Sequence, residues 1–122
     1  MKPNRKVQGT VVLTSAPSKK EALYLAGELV GRNLAACVSV APRVHSVYRW
    51  QGKIENATEW LLLIKTTRGR FASVRKAIEE LHSYDCPECI ALPVTGGSVQ
   101  YLAWLAGAVE EEAGAKSTRA KP

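Results

Sequence analysis

The chain has 122 residues, 46% of them hydrophobic, and a formal net charge of +6 at neutral pH; that length buries one core and is short for two ordinary domains. No apolar run approaches the ~20 residues needed to span a bilayer, and no apolar stretch follows the charges of Lys2, Arg5 and Lys6, so a membrane protein is not expected and the cytoplasm is the default location. Without Lys2, Arg5, Lys6, Lys116, Arg119 and Lys121, all in the terminal segments, the chain balances 11 basic against 11 acidic residues, which argues against the clustered cations of a nucleic-acid groove.

In chain order, Val7 to Ser15 is rich in β-branched residues and stops at Ala16-Pro17, as a strand does before proline. Ser18-Lys19-Lys20-Glu21 reads as a capping box, in which the serine covers a free amide and the glutamate reaches back. The helix that follows runs to about Arg32, with Ala22, Leu25, Ala26 and Leu29 on one stripe. Leu34 to Val40 is small and apolar almost throughout, as a strand covered on both faces would be, and Ala41-Pro42 ends it.

Val44 to Trp50 then alternates, with Val44, Ser46, Tyr48 and Trp50 on one face and His45, Val47 and Arg49 on the other. Gln51-Gly52 is a turn signal and Trp60 to Thr66 a second extended run, so the two segments should pair as a long antiparallel hairpin. Phe71, Val74, Ile78 and Leu81 mark a second amphipathic helix ending near His82, and Glu88 to Val94 a last short strand. Ser98 caps a third helix through Tyr101, Leu102, Leu105 and Val109.

This order predicts an α/β (α+β) fold, a mixed sheet with two helices on one face in a ferredoxin-like sandwich over residues 7–113. A basic segment precedes it at residues 1–6, and the small, polar residues 114–122 read as disordered. The hairpin outruns the two helices, so its aromatic end exposes strand edges that invite another chain, and self-association follows. Three cysteines, an odd number in a chain able to bury a core, fit reduced thiols better than a disulfide framework.

At Asn33-Leu34-Ala35-Ala36-Cys37-Val38 the sequence resembles the CutA divalent-cation-tolerance family. Ser46-Val47-Tyr48-Arg49-Trp50-Gln51-Gly52, Glu59 to Lys65-Thr66, His82-Ser83-Tyr84 and Pro87-Glu88 agree in the same order, over roughly residues 7 to 110. The resemblance implies a ferredoxin-like subunit in a tight homotrimer with interlocked hairpins, shaped like the PII nitrogen-signalling proteins. It also implies binding of copper or other divalent metal ions, with no obligatory cofactor.

The resemblance carries copper ligation onto Cys37 and His82, and a third family position falls on Thr14; a thiolate with an imidazole suits that metal. Two ligands per chain are few, so affinity should be modest or the site shared across subunits. Read alone, Cys37 is by default a small buried residue of its strand, and His82 is equally a cap for free carbonyls at a helix end. His82, Cys86 and Cys89 make a nominal H-x3-C-x2-C, but residues three apart on an extended strand point to opposite faces.

Lys65, in the middle of an apolar strand, must be paired or face a cavity. An ion pair would satisfy it; the resemblance instead places Glu59, Lys65, Tyr84 and Glu88 near an inter-subunit cleft, with Trp50 the aromatic lining it. Such a cleft could hold a small polar ligand. Two functions follow: a trimeric cation-tolerance protein binding copper, or a PII-like signalling or scaffold trimer binding a small metabolite or anion. No nucleophile–base pair or phosphate loop is legible, so an enzyme is not expected.

Overall fold

The computed structural model describes residues 8–110; both terminal segments and Val7 lie outside the described residues. The first extended run forms β1, Gly9–Ala16, which turns Val12 and Ala16 into the core. The next element is α1, Lys19–Gly31, with Ser18 as its N-cap. Ser18 Oγ accepts from the Glu21 N–H at 3.1 Å, but the Glu21 carboxylate completes no reciprocal capping box. It accepts from the Ser83 N–H at 2.8 Å instead, tying the first turn of α1 to a segment 62 residues away.

The two segments expected on either side of Ala41-Pro42 are one strand, β2, Cys37–Trp50. The proline does not end it, because β2 lies at an edge of the sheet and the pairing skips from Ala41 to Val44 through a bulge. Arg43, at φ 35°, takes up the extra residue. The bulge shifts the phase of the strand, so that Val44, Ser46, Tyr48 and Trp50 join the face that carries Cys37, Ser39 and Ala41.

A two-residue turn, Gln51 at φ 52° and Gly52 at φ 81°, joins β2 to β3, Lys53–Thr67. Both angles lie in the left-handed region that hairpin turns need and that Gly adopts at no steric cost. A single 3₁₀ turn, Arg68–Arg70, leads into α2, Phe71–Leu81, capped at its end by His82. Then come β4, Ile90–Pro93, and α3, Val99–Ala108, whose N-cap Ser98 accepts from the Tyr101 N–H at 3.2 Å.

The strands lie in the order β2-β3-β1-β4, and every neighbouring pair is antiparallel rather than mixed. Each helical crossover skips one strand, so the strands it joins are never neighbours. Leu25, Leu29, Val74 and Ile78 of α1 and α2 meet Val12, Leu62 and Ile64 of the sheet in one core. Each fully buried side chain of this size contributes about 1.5–3 kcal/mol. On the opposite face α3 packs on β3 and β1, with Leu105 2% exposed.

β1 covers β3 only as far as the Ala16–Trp60 pair. Beyond it β2 and β3 continue alone as a ribbon from Val44–Glu59 to Trp50–Lys53, roughly 20 Å at the usual rise per residue. Val47 and Ile54 on one side of this ribbon, and Tyr48 and Trp50 on the other, are all exposed.

Candidate functional site

Where the ribbon leaves the sheet, a polar network is built around Glu59, the first β3 residue past the end of β1. Glu59 is only 7% exposed. The bulge in β2 sets Ser46 on the same face, and its hydroxyl donates to Glu59 Oε1 at 2.6 Å. Tyr84, from the segment between α2 and β4, donates its phenol to Glu59 Oε2 at 2.7 Å.

Burial by itself would raise the Glu59 carboxyl, but the hydrogen bonds from Ser46 and Tyr84, with Ser15 and His82 nearby, outweigh it and hold the group below its ordinary value. The Tyr84 phenol moves the other way. Burial first, then the hydrogen bond to Glu59 and the negative charge there, push it far above the ordinary tyrosine value of 10.0. At neutral pH the pair is therefore a fixed carboxylate beside a fixed, protonated phenol.

His82 stands behind this pair with its side chain fully buried and its ring 4.7 Å from that of Tyr84. Nε2 donates to the Ser15 carbonyl at 2.6 Å, and Nδ1 accepts from the Tyr84 N–H at 3.0 Å. The Glu21 carboxylate lies 3.4 Å from Nδ1. Both ring nitrogens are thus committed, and the ring sets the path of the chain toward Tyr84.

Cys37 does not meet His82 within the subunit. Cys37 is paired with Lys65, whereas the carbonyl that holds His82 belongs to Ser15, paired with Leu61. Those positions lie four residues apart on β3, about 13 Å. Thr14 is fully buried and alternates with Ser15 onto the helix-covered face, away from Cys37. A single chain therefore does not bring Cys37 and His82 into one site.

Lys65 likewise sits apart from Glu59, six residues along β3 and roughly 20 Å away. Its ammonium donates to Ser39 Oγ at 2.7 Å and lies 3.8 Å from the half-buried Cys37 thiol. Trp50 is at the ribbon tip, 47% exposed, and Glu88 is exposed in the loop before β4. Of the five expected cleft residues, the chain by itself brings together only Glu59 and Tyr84.

Cys86 is exposed and Cys89 half-buried, both as free thiols. Burial and the charge of Glu79 push the Cys89 thiol up, away from a reactive thiolate. Among the described residues no group of three or more His, Cys, Asp or Glu side chains is placed to hold a metal ion. Ser46, Ser15 and Glu21 were not singled out as site residues by sequence; Ser46 is reached only through the bulge, and Glu21 only through a contact 62 residues long.

The chain matches the family described as CutA1 divalent ion tolerance protein over residues 10–108. It belongs to that family. The chloroplastic protein CutA 1 of rice is 40% identical over 105 residues, 86% of this chain and 59% of that protein. The chain thus spans little more than half the length of that plant relative. The divalent-cation tolerance protein CutA of Thermus thermophilus is 44% identical over 95 residues, 78% of this chain and 92% of its own.

Among solved structures, CutA1 from Oryza sativa superposes with a TM-score of 0.84 at 40% identity, covering 87% of this chain and 97% of that one. The ferredoxin-like architecture with its extended hairpin is therefore the fold of the family. No helix among the described residues is long and apolar enough to cross a membrane.

Proposed function

We propose that the chain acts in the cytoplasm as a homotrimer that binds divalent metal ions, copper among them, without turning over a substrate. Three features of the subunit support assembly. The ribbon exposes apolar residues on both sides, β2 and β4 are both sheet edges, and all four residues of β4 are exposed. A closed ring in which each ribbon lies along the next subunit covers all three at once.

The observation that carries cation binding is Glu59. Its buried carboxylate is held ionised by hydroxyl donors, and among the described residues no lysine or arginine lies within ion-pair reach of it. An external cation supplies the missing charge, and the Tyr84 and Ser46 oxygens beside it suit a dication. Binding rather than proton transfer fits a carboxylate and a phenol that both stay clear of titration near neutrality.

Cys37 offers copper a separate, softer ligand, half-exposed on the other end of the same sheet face. His82 joins it only across a subunit boundary, and only by releasing the Ser15 carbonyl or the Tyr84 amide. A second reading, a PII-like trimer holding a small anion or metabolite, is favoured by Lys65, whose ammonium has no carboxylate within ion-pair reach among the described residues.

Calorimetric titration with copper and zinc separates these readings. Glu59→Gln should weaken zinc and copper binding by about tenfold or more, the loss of roughly 1.4 kcal/mol. Cys37→Ser should weaken copper alone. Zinc and copper binding unchanged in both variants would leave the anion-binding reading, tested in turn by Lys65→Met.

A further inference from the structure

Helices α1 and α2 cover the same face of the sheet and meet the same solvent, but with opposite chemistry. α2 turns Ser73, Arg75, Lys76, Glu79 and Glu80 outward, as a helix with one buried face does. α1 turns outward Lys20, Leu23, Tyr24, Gly27, Val30 and Gly31, one stripe opposite its buried Ala22, Leu25 and Leu29. Leu23 is 51% exposed, Tyr24 49% and Val30 41%.

Gly27 lies in mid-helix within this stripe, and a Cβ built there meets nothing within 4 Å. The subunit's own packing gives no reason for glycine at a position where glycine lowers helix stability relative to alanine. Close approach by a second backbone does give one, and the apolar residues on either side of Gly27 supply the contact area such an approach needs.

We infer that the outward face of α1 docks on α1 of a second copy of the chain, in an antiparallel pair crossing at Gly27. Two-fold symmetry about that point sets Tyr24 of one copy over Val30 of the other, and Leu23 over Gly31. The charges match in this orientation only. The exposed Lys19 and Lys20 occupy the first turn, where the helix dipole does not favour them.

At the other end of the helix, Glu28 and Glu80 flank Arg32 at 3.0 and 3.7 Å, beside the negative, carbonyl end of the helix. Antiparallel pairing brings each lysine pair to the partner's carbonyl end, where Glu28, Glu80 and Arg32 leave one net negative charge, whereas parallel pairing sets lysines against lysines. This self-complementarity, in shape and in charge, selects a second copy as the occupant. The contact shares no residue with the ribbon or β4, so it links assemblies that those elements have already built.

Sedimentation velocity on the full chain, from micromolar to millimolar concentration, tests this. The wild type should show a concentration-dependent species at least twice the mass of the basal assembly, weakened by salt. Tyr24→Glu should remove that species. Gly27→Ala should raise the melting temperature, through helix propensity, while weakening the association by at least about tenfold. Absence of the larger species in the wild type overturns the inference, as does its survival in both variants, or a Gly27→Ala chain that melts higher yet associates unchanged.

Discussion

Glu59→Gln removes the charge at the centre of the polar network while keeping its shape. Glu59 is 7% exposed and accepts two hydroxyl hydrogen bonds, at 2.6 Å from Ser46 and 2.7 Å from Tyr84. A hydrogen bond to a charged group contributes about 1.5–3 kcal/mol, a neutral one about 0.5–1.5. Downgrading two such bonds costs about 2 kcal/mol, part of it returned because the neutral amide is easier to bury, which leaves about 1–2 kcal/mol. Urea unfolding at fixed protein concentration and pH 7 should show that loss without a change of slope.

The pH dependence supplies the sign. The folded Glu59 carboxyl lies below its ordinary value of 4.5, so its contribution is full above that pH and is lost as pH falls through the folded value. Wild type and variant should therefore converge in acid. Equal stability at pH 7, or a gap that persists undiminished to about pH 3, would show that the Glu59 charge does not stabilise the fold.

Thr14 is fully buried and its hydroxyl has no hydrogen-bond partner among the described residues, so Thr14→Val should stabilise the fold by about 1 kcal/mol in the same unfolding assay. Tyr84→Phe should cost about 1.5–3 kcal/mol at neutral pH through the lost bond to the charged Glu59. The wild-type phenol is raised above 10.0, so its contribution is whole below that pH and is lost as pH rises toward the folded value. A denaturation series in alkali should show the wild type falling more steeply than the phenylalanine variant. Gly52→Ala forces a Cβ into φ 81° and should cost about 1 kcal/mol of thermal stability at the ribbon turn.

Local signals were enough for the elements. The apolar stripes of α1 and α2, the serine caps at Ser18 and Ser98 and the Gln51-Gly52 turn are short-range features, and each appears where its chemistry puts it. Pro42 misled, because whether a proline ends a strand depends on whether the strand is at an edge, and strand order is a long-range property. The mixed sheet failed for the same reason: β3 enters between β1 and β2.

The site was legible only in part. Glu59 and Tyr84 were singled out through the family resemblance, and the fold brings them within 2.7 Å. Their third partner, Ser46, faces Glu59 only because one extra residue at the bulge rephases β2. Nothing in the residues themselves announces that shift. Lys65 lies on the same strand face six residues from Glu59; the resemblance groups the two at a cleft between subunits, which a single chain does not form.

Native mass spectrometry of the purified chain, with and without added zinc or copper, tests trimeric cation binding at Glu59, because it reads subunit number and bound mass together. The wild type should appear as a species of three times the 13.3 kDa chain mass that retains divalent ions, and Glu59→Gln as a species of the same subunit number with fewer ions. A single-chain mass in metal-free solution, or a trimer that holds as many ions without the Glu59 charge as with it, would contradict such binding.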